Sequence, residues 1–359
     1  MFDNDKRTVL TLDAGGTNFV FSAIQGNREV VSPVRMDAVT DNAQACLDLL
    51  VKGFRQVQQE LSHPAVAISF AFPGPADYES GIIGDLPNFP CFRGGVAMGP
   101  YLEEAFGLPV FINNDGNLFA YGEALSGILP QINAQLDAAG SSVRYRNLIG
   151  LTFGTGFGAG VVVDGTLLKG DNGCGGDVWC MRNVFNPGEY VEENVSIRAV
   201  KRVYRELSGD NRELSPKDIF EIASKTQEGN PKAACNSFRH LGIAAADALA
   251  HALDIADALV VIGGGLSGAS KFIVPAMVEA IRPWVQMEVF DLSVRNGMRK
   301  FLEDSSVLVQ VPGSDRQVRY RSQKKTGIAL SALGTSRAVS LGAYAYALRK
   351  LDIKSFYTL

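Results

Sequence analysis

Leu10-Thr11-Leu12-Asp13-Ala14-Gly15-Gly16-Thr17-Asn18-Phe19-Val20-Phe21 runs from an apolar strand through a glycine turn into a second apolar strand. In the dinucleotide-binding loop and the Walker loop the glycines lead instead into a helix whose N-terminus faces the phosphate, and the Walker loop ends in Gly-Lys-Ser/Thr. Neither continuation follows Gly16. Asn18 to Ile24 is rich in aromatic and β-branched residues, Gln25-Gly26-Asn27-Arg28 offers a turn, and Glu29-Val30-Val31 resumes an extended pattern. Strand, turn, strand in this order suggests a nucleotide phosphate held between the two strands of a hairpin.

The same grammar returns from Leu148 to Thr166, where Gly154-Thr155-Gly156, Gly158 and Gly160 separate two apolar extended runs. A third cluster, Gly263-Gly264-Gly265, follows the apolar run Ala258–Ile262 and precedes a helical stretch around Lys271 to Ile281. Missing side chains at a strand end let a flat or charged ligand approach the backbone. Any one cluster fits a tight turn with no ligand equally well; all three in this order favour a bound nucleotide.

The 359 residues suit two domains, and a hydrophobic share of 46% is enough for packed cores. A formal charge of -4 and a pI near 5.6 give no general attraction to nucleic acid or anionic membrane. No apolar run is long enough to span a bilayer, and Met1 to Arg7 lacks the apolar core of a secretion signal, so a cytoplasmic location is expected. The five cysteines, Cys46, Cys91, Cys174, Cys180 and Cys235, are odd in number and scattered, which argues against a disulfide framework. Cys174 and Cys180 share a glycine-rich stretch, where a redox pair or half a metal site competes with the favoured reading as free thiols.

Residues 41 to 61 have helical spacing with Asp41 as N-cap, Val66–Phe72 is a buried strand ended by Pro73-Gly74-Pro75, and Val110–Ile112 is a strand stopping at Asn113-Asn114-Asp115-Gly116-Asn117. Active residues of α/β sheets collect at such carboxyl ends of strands. The periodicity weakens from Ser126 to Asn147. Helices are then expected over Val191–Leu207, from a capping-box-like Ser215-Pro216-Lys217-Asp218, through Cys235 to Leu253 and over Thr335–Leu351. Val307–Val311 is a strand candidate. Asp315 to Lys325, with Arg316, Arg319, Arg321, Lys324 and Lys325, is expected to be a solvated loop, with a nucleotide or partner contact as the alternative.

Asp13-Ala-Gly-Gly-Thr-Asn18, Phe72-Pro-Gly-Pro75, Leu86-Pro-Asn88-Phe-Pro90, Asn113-Asn-Asp115-Gly-Asn117, Gly154-Thr-Gly156, Val261-Ile-Gly-Gly-Gly-Leu-Ser267 and Leu330-Ser-Ala-Leu-Gly334 jointly resemble the ROK family of sugar kinases, within the actin-like, hexokinase-type ATPase superfamily. The likeness runs from about Thr8 to about Leu351. It implies an α/β, two-lobed actin-like ATPase (ribonuclease H-like) fold with duplicated mixed-sheet domains. The lobes would be 1–125 and 148–337, with 126–147 as a junction or insertion and a closing helix, 338–359, packing back on the first lobe.

The resemblance implies ATP-dependent phosphorylation of a hexose or related sugar at a primary hydroxyl, in a homodimer; from the charge and the apolar runs no nucleic-acid or membrane partner is expected. The resemblance assigns the ATP phosphates to Gly15, Gly16, Thr17, Asn18, Gly154, Thr155 and Gly156, and the adenosine to Gly263, Gly264 and Gly265. Asp13 would hold Mg²⁺ through water, and Asp115 would be the catalytic base. The sugar falls to Gly74, Asn88, Asn114, Asp115, Asp177 and Glu192, with Glu193 as the alternative to Glu192. Without the resemblance, Asp115 fits an Asn/Asp/Gly turn and Asp13 a turn cap just as well.

One segment departs from the family. Its Gly-Glu-X-Gly-His is here Gly176-Asp177-Val178-Trp179-Cys180, and no cysteine-rich knuckle follows, since Met181 to Tyr190 holds no cysteine. No zinc is therefore expected, and the identity of the sugar stays open. Two rival readings share the fold. A sugar-responsive transcriptional regulator would carry an N-terminal helix-turn-helix where this chain starts a strand near Thr8, and a catalytically silent sugar sensor would not need Asp13, Asp115 and three glycine clusters.

Overall fold

A computed structural model describes residues 2–14, 18–39, 41–84 and 90–357. Gly15, Gly16, Thr17 and Asn88 lie outside the described residues. Strand β1 (Val9–Ala14) buries Val9, Leu10 and Leu12, and β2 (Asn18–Gln25) returns antiparallel to it, Val9 opposite Ile24 and Ala14 opposite Phe19. β3 (Arg28–Glu29) and β4 (Val34–Asp37) both pair with β2. Helix α1 (Ala43–Gln59) is capped by Asn42, whose side-chain oxygen accepts from the Ala45 N–H at 2.9 Å, and not by the neighbouring Asp41. Its stripe of Cys46, Leu47, Leu50, Phe54 and Val57 is buried, as the helical spacing of these residues demands.

β5 (Ala67–Ala71) is buried throughout and parallel to β1. A short hairpin, β6 (Ala76–Asp77) and β7 (Ile82–Ile83), and α2 (Met98–Phe106) lead to β8 (Val110–Asn113), parallel to β5. The first sheet therefore has the order β3-β2-β1-β5-β8 with β4 beside β2: a hairpin followed by parallel strands. Its core is aromatic, with Phe21 edge-on to Phe54 at 5.1 Å and Phe72 to Phe92 at 5.7 Å. Each such side chain, once buried, stabilises by about 1.5–3 kcal/mol. α3 (Asp115–Leu125) follows β8, and α4 (Ile128–Ala138) occupies the stretch whose periodicity weakens.

β9 (Leu148–Phe153), β10 (Phe157–Val163) and β11 (Thr166–Leu167) repeat the opening pattern. α5 (Ile197–Ser208) starts later than the expected Val191, because Ser196 caps it through the Ala199 N–H and Val191–Glu193 forms a separate 3₁₀ turn. α6 (Pro216–Ala223) carries the full capping box between Ser215 and Asp218, and α7 (Pro231–Ala256) is the long helix. β12 (Leu259–Gly263), α8 (Ser270–Ile281), β13 (Glu288–Asp291), α9 (Arg295–Leu302), β14 (Ser306–Gln310), β15 (Gln317–Arg321), β16 (Lys325–Leu330) and α10 (Thr335–Tyr357) complete the chain. The second sheet is ordered β11-β10-β9-β12-β16-β13, with β12 parallel to β9 and β16. The basic stretch after Asp315 is half of a two-stranded ribbon with β14 rather than a loop. Val307 faces Tyr320 and Val309 faces Val318 across it, the period-2 pairing that a strand reading of these residues requires.

Contacts divide the chain into two compact units. The first runs to Gly127 and regains the chain from Gly160 to Gly176 and from Leu333 onward; the second holds Ile128–Ala159 and Asp177–Ala332. α10 belongs to the first unit because glycines let it meet α3 backbone to backbone. A Cβ on Gly122 would lie 1.9 Å from the Ala338 carbonyl oxygen, and one on Gly342 equally close to that of Leu118. Tyr344 then accepts from the Gly26 N–H at 3.0 Å, and Tyr346 packs edge-on against Phe111 and Tyr121. Among the described residues no helix is long and apolar enough to cross a membrane.

Candidate active site

In the first unit the candidate residues sit where parallel strands end. The registers Leu10 beside Ile68 and Ala71 beside Asn113 put the ends of β1, β5 and β8 at one edge of the sheet. Asp13 is half-buried near the end of β1, and Asn18 opens β2. After β5, a Cβ on Gly74 would come 2.9 Å from the Tyr78 hydroxyl, which itself donates to the Phe72 carbonyl at 3.0 Å. Glycine at 74 thus makes room for Tyr78.

Asn113, Asn114 and Asp115 form the passage from β8 to α3. Asn113 is 2% exposed, and its Oδ1 accepts from the Asn114 N–H at 2.8 Å and from Asn117 Nδ2 at 3.2 Å. Asn114 is the N-cap: its Oδ1 accepts from the N–H groups of Gly116 at 2.8 Å and Asn117 at 3.4 Å. With that oxygen committed to the helix, what Asn114 can offer a ligand is its Nδ2 donor. Asp115 is therefore the first residue of a helix, not part of a plain turn. Its carboxylate is exposed and accepts from the Gly116 N–H at 2.9 Å. The surrounding protein desolvates it enough to raise its pKa above 3.8, against the lowering effect of the Gly116 and Asp115 N–H groups. Because water still reaches the side chain, the raising is that of a crowded wet acid rather than a sealed one. The first turn of α3 is braced by β10: a Cβ on Gly160 would lie 2.7 Å from the Asn117 Cα and from the Gly116 carbonyl oxygen.

In the second unit, Gly154-Thr155-Gly156 turns from β9 into β10. The Gly154 carbonyl accepts from the Ile197 N–H at 2.8 Å, that of Thr155 from Arg198 Nη1 at 3.3 Å, and that of Gly156 from the Gly154 N–H at 3.1 Å. Among the described residues the N–H groups of Thr155 and Gly156 have no such partner, so the turn presents donors and hides its acceptors, the polarity an anion requires. Glu192 lies directly against it. Its Oε2 accepts from the Phe157 N–H at 2.9 Å, its Oε1 from Arg198 Nη2 at 3.2 Å, and a Cβ on Gly156 would stand 2.4 Å from Oε2. Glu193 is turned to Arg198 instead, at 2.6 Å, and that guanidinium lowers its pKa.

Gly263 ends β12 beside Thr152 of β9, and Gly264, at φ +85°, would drive a Cβ to 2.3 Å from the Phe153 carbonyl oxygen. The glycine there answers the close approach of β9, while Gly265, where a Cβ would meet nothing within 4 Å, is open. Gly154–Gly156, Glu192 and Gly263–Gly265 thus converge at the end of β9. Asp177 is half-buried, and desolvation raises its pKa against a hydrogen bond from Trp179. Its carbonyl accepts from Cys180 Sγ at 3.0 Å. Cys180 itself is exposed, and among the described residues no three His, Cys, Asp or Glu side chains come together in a way that could hold a metal ion. The donor set of this segment therefore does not fit the zinc of the family knuckle.

Arg198 was not apparent from sequence. It grips Glu192, Glu193 and the Thr155 carbonyl together, and the only trace in the chain is a charge pair spaced over a helix start, Glu193 to Arg198. Asn113 and Asn117 were visible only as members of the Asn/Asp/Gly run.

A model of the ROK family matches residues 9–308. The crystal structure of a glucokinase from Parabacteroides distasonis has a TM-score of 0.91 to this chain at 56% identity, over 97% of this chain and 99% of that one. A glucokinase of Thermotoga maritima is 27% identical over 303 residues, 78% of this chain and 89% of its own. An N-acetyl-D-glucosamine kinase of Vibrio atlanticus is 26% identical over 272 residues, 71% of this chain and 83% of its own.

Proposed function

The chain belongs to the ROK family and is a sugar kinase of the actin-like ATPase fold, and on that premise we propose that it transfers the γ-phosphoryl group of ATP to a primary hydroxyl of a hexose, with Asp115 as general base. The observation that carries the reading is the setting of Asp115: an exposed carboxylate in the first turn of α3, at the carboxyl end of a parallel strand, with its pKa raised and the Asn114 donor beside it. An acid so placed takes the hydroxyl proton as that oxygen attacks the γ-phosphorus.

The Thr155 and Gly156 N–H groups support phosphate binding in the second unit, since fixed donors stabilise developing charge without reorganising. Gly265 leaves open backbone for the adenosine. Asp13, a hard oxygen donor at the end of β1, suits Mg²⁺, which supplies charge neutralisation to the phosphates of bound ATP. Asn114 and Glu192 serve the sugar hydroxyls, because each polyol group buried without a partner costs about 1–3 kcal/mol.

Glucose is the first acceptor to test, given the glucokinase at 56% identity; N-acetylglucosamine is the second, given the Vibrio relative. A coupled ADP-release assay over hexoses, N-acetylhexosamines, ketoses and polyols should show sugar-dependent turnover with a hexose. ADP release that no sugar in the panel accelerates, from folded protein, rules the reading out.

A further inference from the structure

The twelve-residue run from Asn183 to Asn194 carries Glu192 at its far end, and one side chain organises it. Asn183 is 0% exposed. Three donors converge on its Oδ1: the Phe185 N–H at 3.0 Å, the Asn186 N–H at 3.2 Å and Asn194 Nδ2 at 2.8 Å. Its own Nδ2 donates to the Tyr190 carbonyl at 3.1 Å, and its backbone N–H to that of Glu189 at 3.3 Å. Tyr190 and Asn194 are the residues immediately before and after the 3₁₀ turn Val191–Glu193. The amide therefore clamps both ends of the turn that aims Glu192.

Two guanidinium groups share the load, Arg202 donating to the Glu193 carbonyl at 3.0 Å and to Asn194 Oδ1, and Arg198 holding the Glu192 and Glu193 carboxylates, while the remaining contacts of the run are neutral. Val191 donates its N–H to the Met181 carbonyl at 2.9 Å, Phe185 lies flat on His240 of α7 with centroids 3.9 Å apart, and Trp179 meets Tyr190 edge-on at 5.2 Å. The family resemblance implies a cysteine-rich zinc knuckle at this point of the chain, but Met181 to Tyr190 holds no cysteine, and among the described residues no such donors gather. Buried amides with their bonding capacity filled rigidify what they join.

We propose that Asn183 is a positioning residue that takes the place of a structural metal ion, fixing the turn Val191–Glu193 so that the Glu192 carboxylate stays on the Phe157 N–H. Its effect on catalysis rests on the reading of Glu192 as a sugar contact; its effect on Glu192 does not. The test therefore has two readouts. Hydrogen exchange at the Phe157 amide reports the seat of Glu192 directly, and the sugar KM reports its use.

In Asn183→Ala, exchange at Phe157 should quicken about tenfold relative to the global rate, because buried partners left unpaired loosen the run. The sugar KM should rise by about the same factor with the ATP KM nearly unchanged, and Glu192→Gln should already contain most of that rise, so that the double variant adds little. The conservative Asn183→Asp keeps the acceptor and loses the donor to Tyr190. It should give a smaller change of the same sign and serves if the alanine variant does not fold. Unaltered Phe157 exchange in the folded variants overturns the proposal, as does one equivalent of zinc found by elemental analysis in the purified wild-type protein. Faster exchange with an unaltered sugar KM upholds the positioning role and removes Glu192 from the sugar site.

Discussion

A carboxylate that is to take a proton from an alcohol gains from a proton affinity above that of an ordinary aspartate, and desolvation raises that of Asp115. Asp115→Asn keeps the hydrogen bond from the Gly116 N–H and removes the base. It should retain sugar binding by calorimetry while kcat falls about 10²–10⁴-fold, the usual worth of general base catalysis. The sign of the pH effect follows from the raised pKa. The proton is held to higher pH than on an ordinary aspartate, so kcat/KM should fall on acidification through a limb displaced upward from 3.8, and the asparagine variant should lack that limb. At this scale the motif Asn113-Asn-Asp115-Gly-Asn117 was legible in the chain, but the division of labour within it was not. That Asn114 spends its oxygen on capping α3 is a fact of the helix start.

Helices α3 and α10 are joined at two glycines, and this joint holds the element that begins with Asp115. Gly342→Ala would force a methyl group against the Leu118 carbonyl oxygen of the facing helix. Overpacking of this kind costs about 1–3 kcal/mol, so Tm should fall in a thermal melt and kcat should fall with it as α3 shifts. A second tie gathers β6–β7, the stretch after β11 and α10: Glu79 accepts from Lys169 and Lys350, each at 2.6 Å. Those hydrogen bonds depress the Glu79 pKa from 4.5 to about 2. A depressed acid stabilises the fold above its unfolded value and loses that contribution as pH falls from about 4.5 towards about 2. Its side chain is 66% exposed, so the full contribution is about 1 kcal/mol or less. Glu79→Gln should lower Tm slightly at pH 7 and flatten its dependence in that acid window. Most elements were readable from periodicity and caps. The two misplacements have different causes: Asp41 stands beside Asn42, whose side chain takes the cap of α1, whereas Val191–Glu193 closes its own 3₁₀ turn before Ser196 caps α5.

On the scale of the whole molecule, ligands that bind the folded chain must stabilise it by mass action. Glucose or another accepted sugar, and separately ATP with Mg²⁺, should each raise Tm, by the equivalent of about 2.7 kcal/mol at about a hundredfold excess over Kd. A sugar that supports turnover yet leaves Tm unmoved at that excess contradicts the site. What the chain determined by itself was the repeated order of strand, glycine turn and strand, the apolar periods that build two sheets, and the list of acids and amides at strand ends. These are local: they follow from steric and burial preferences of residues a few positions apart. Tertiary structure alone decided that Arg198 ties Glu192 and Glu193 to the 154–156 turn, that Gly122 and Gly342 bring α10 onto α3, and that Asn183 brackets the turn before Asn194. Each is a meeting of groups whose spacing along the chain carries no period, so only the fold, by burying them together, could require that their hydrogen bonds be matched.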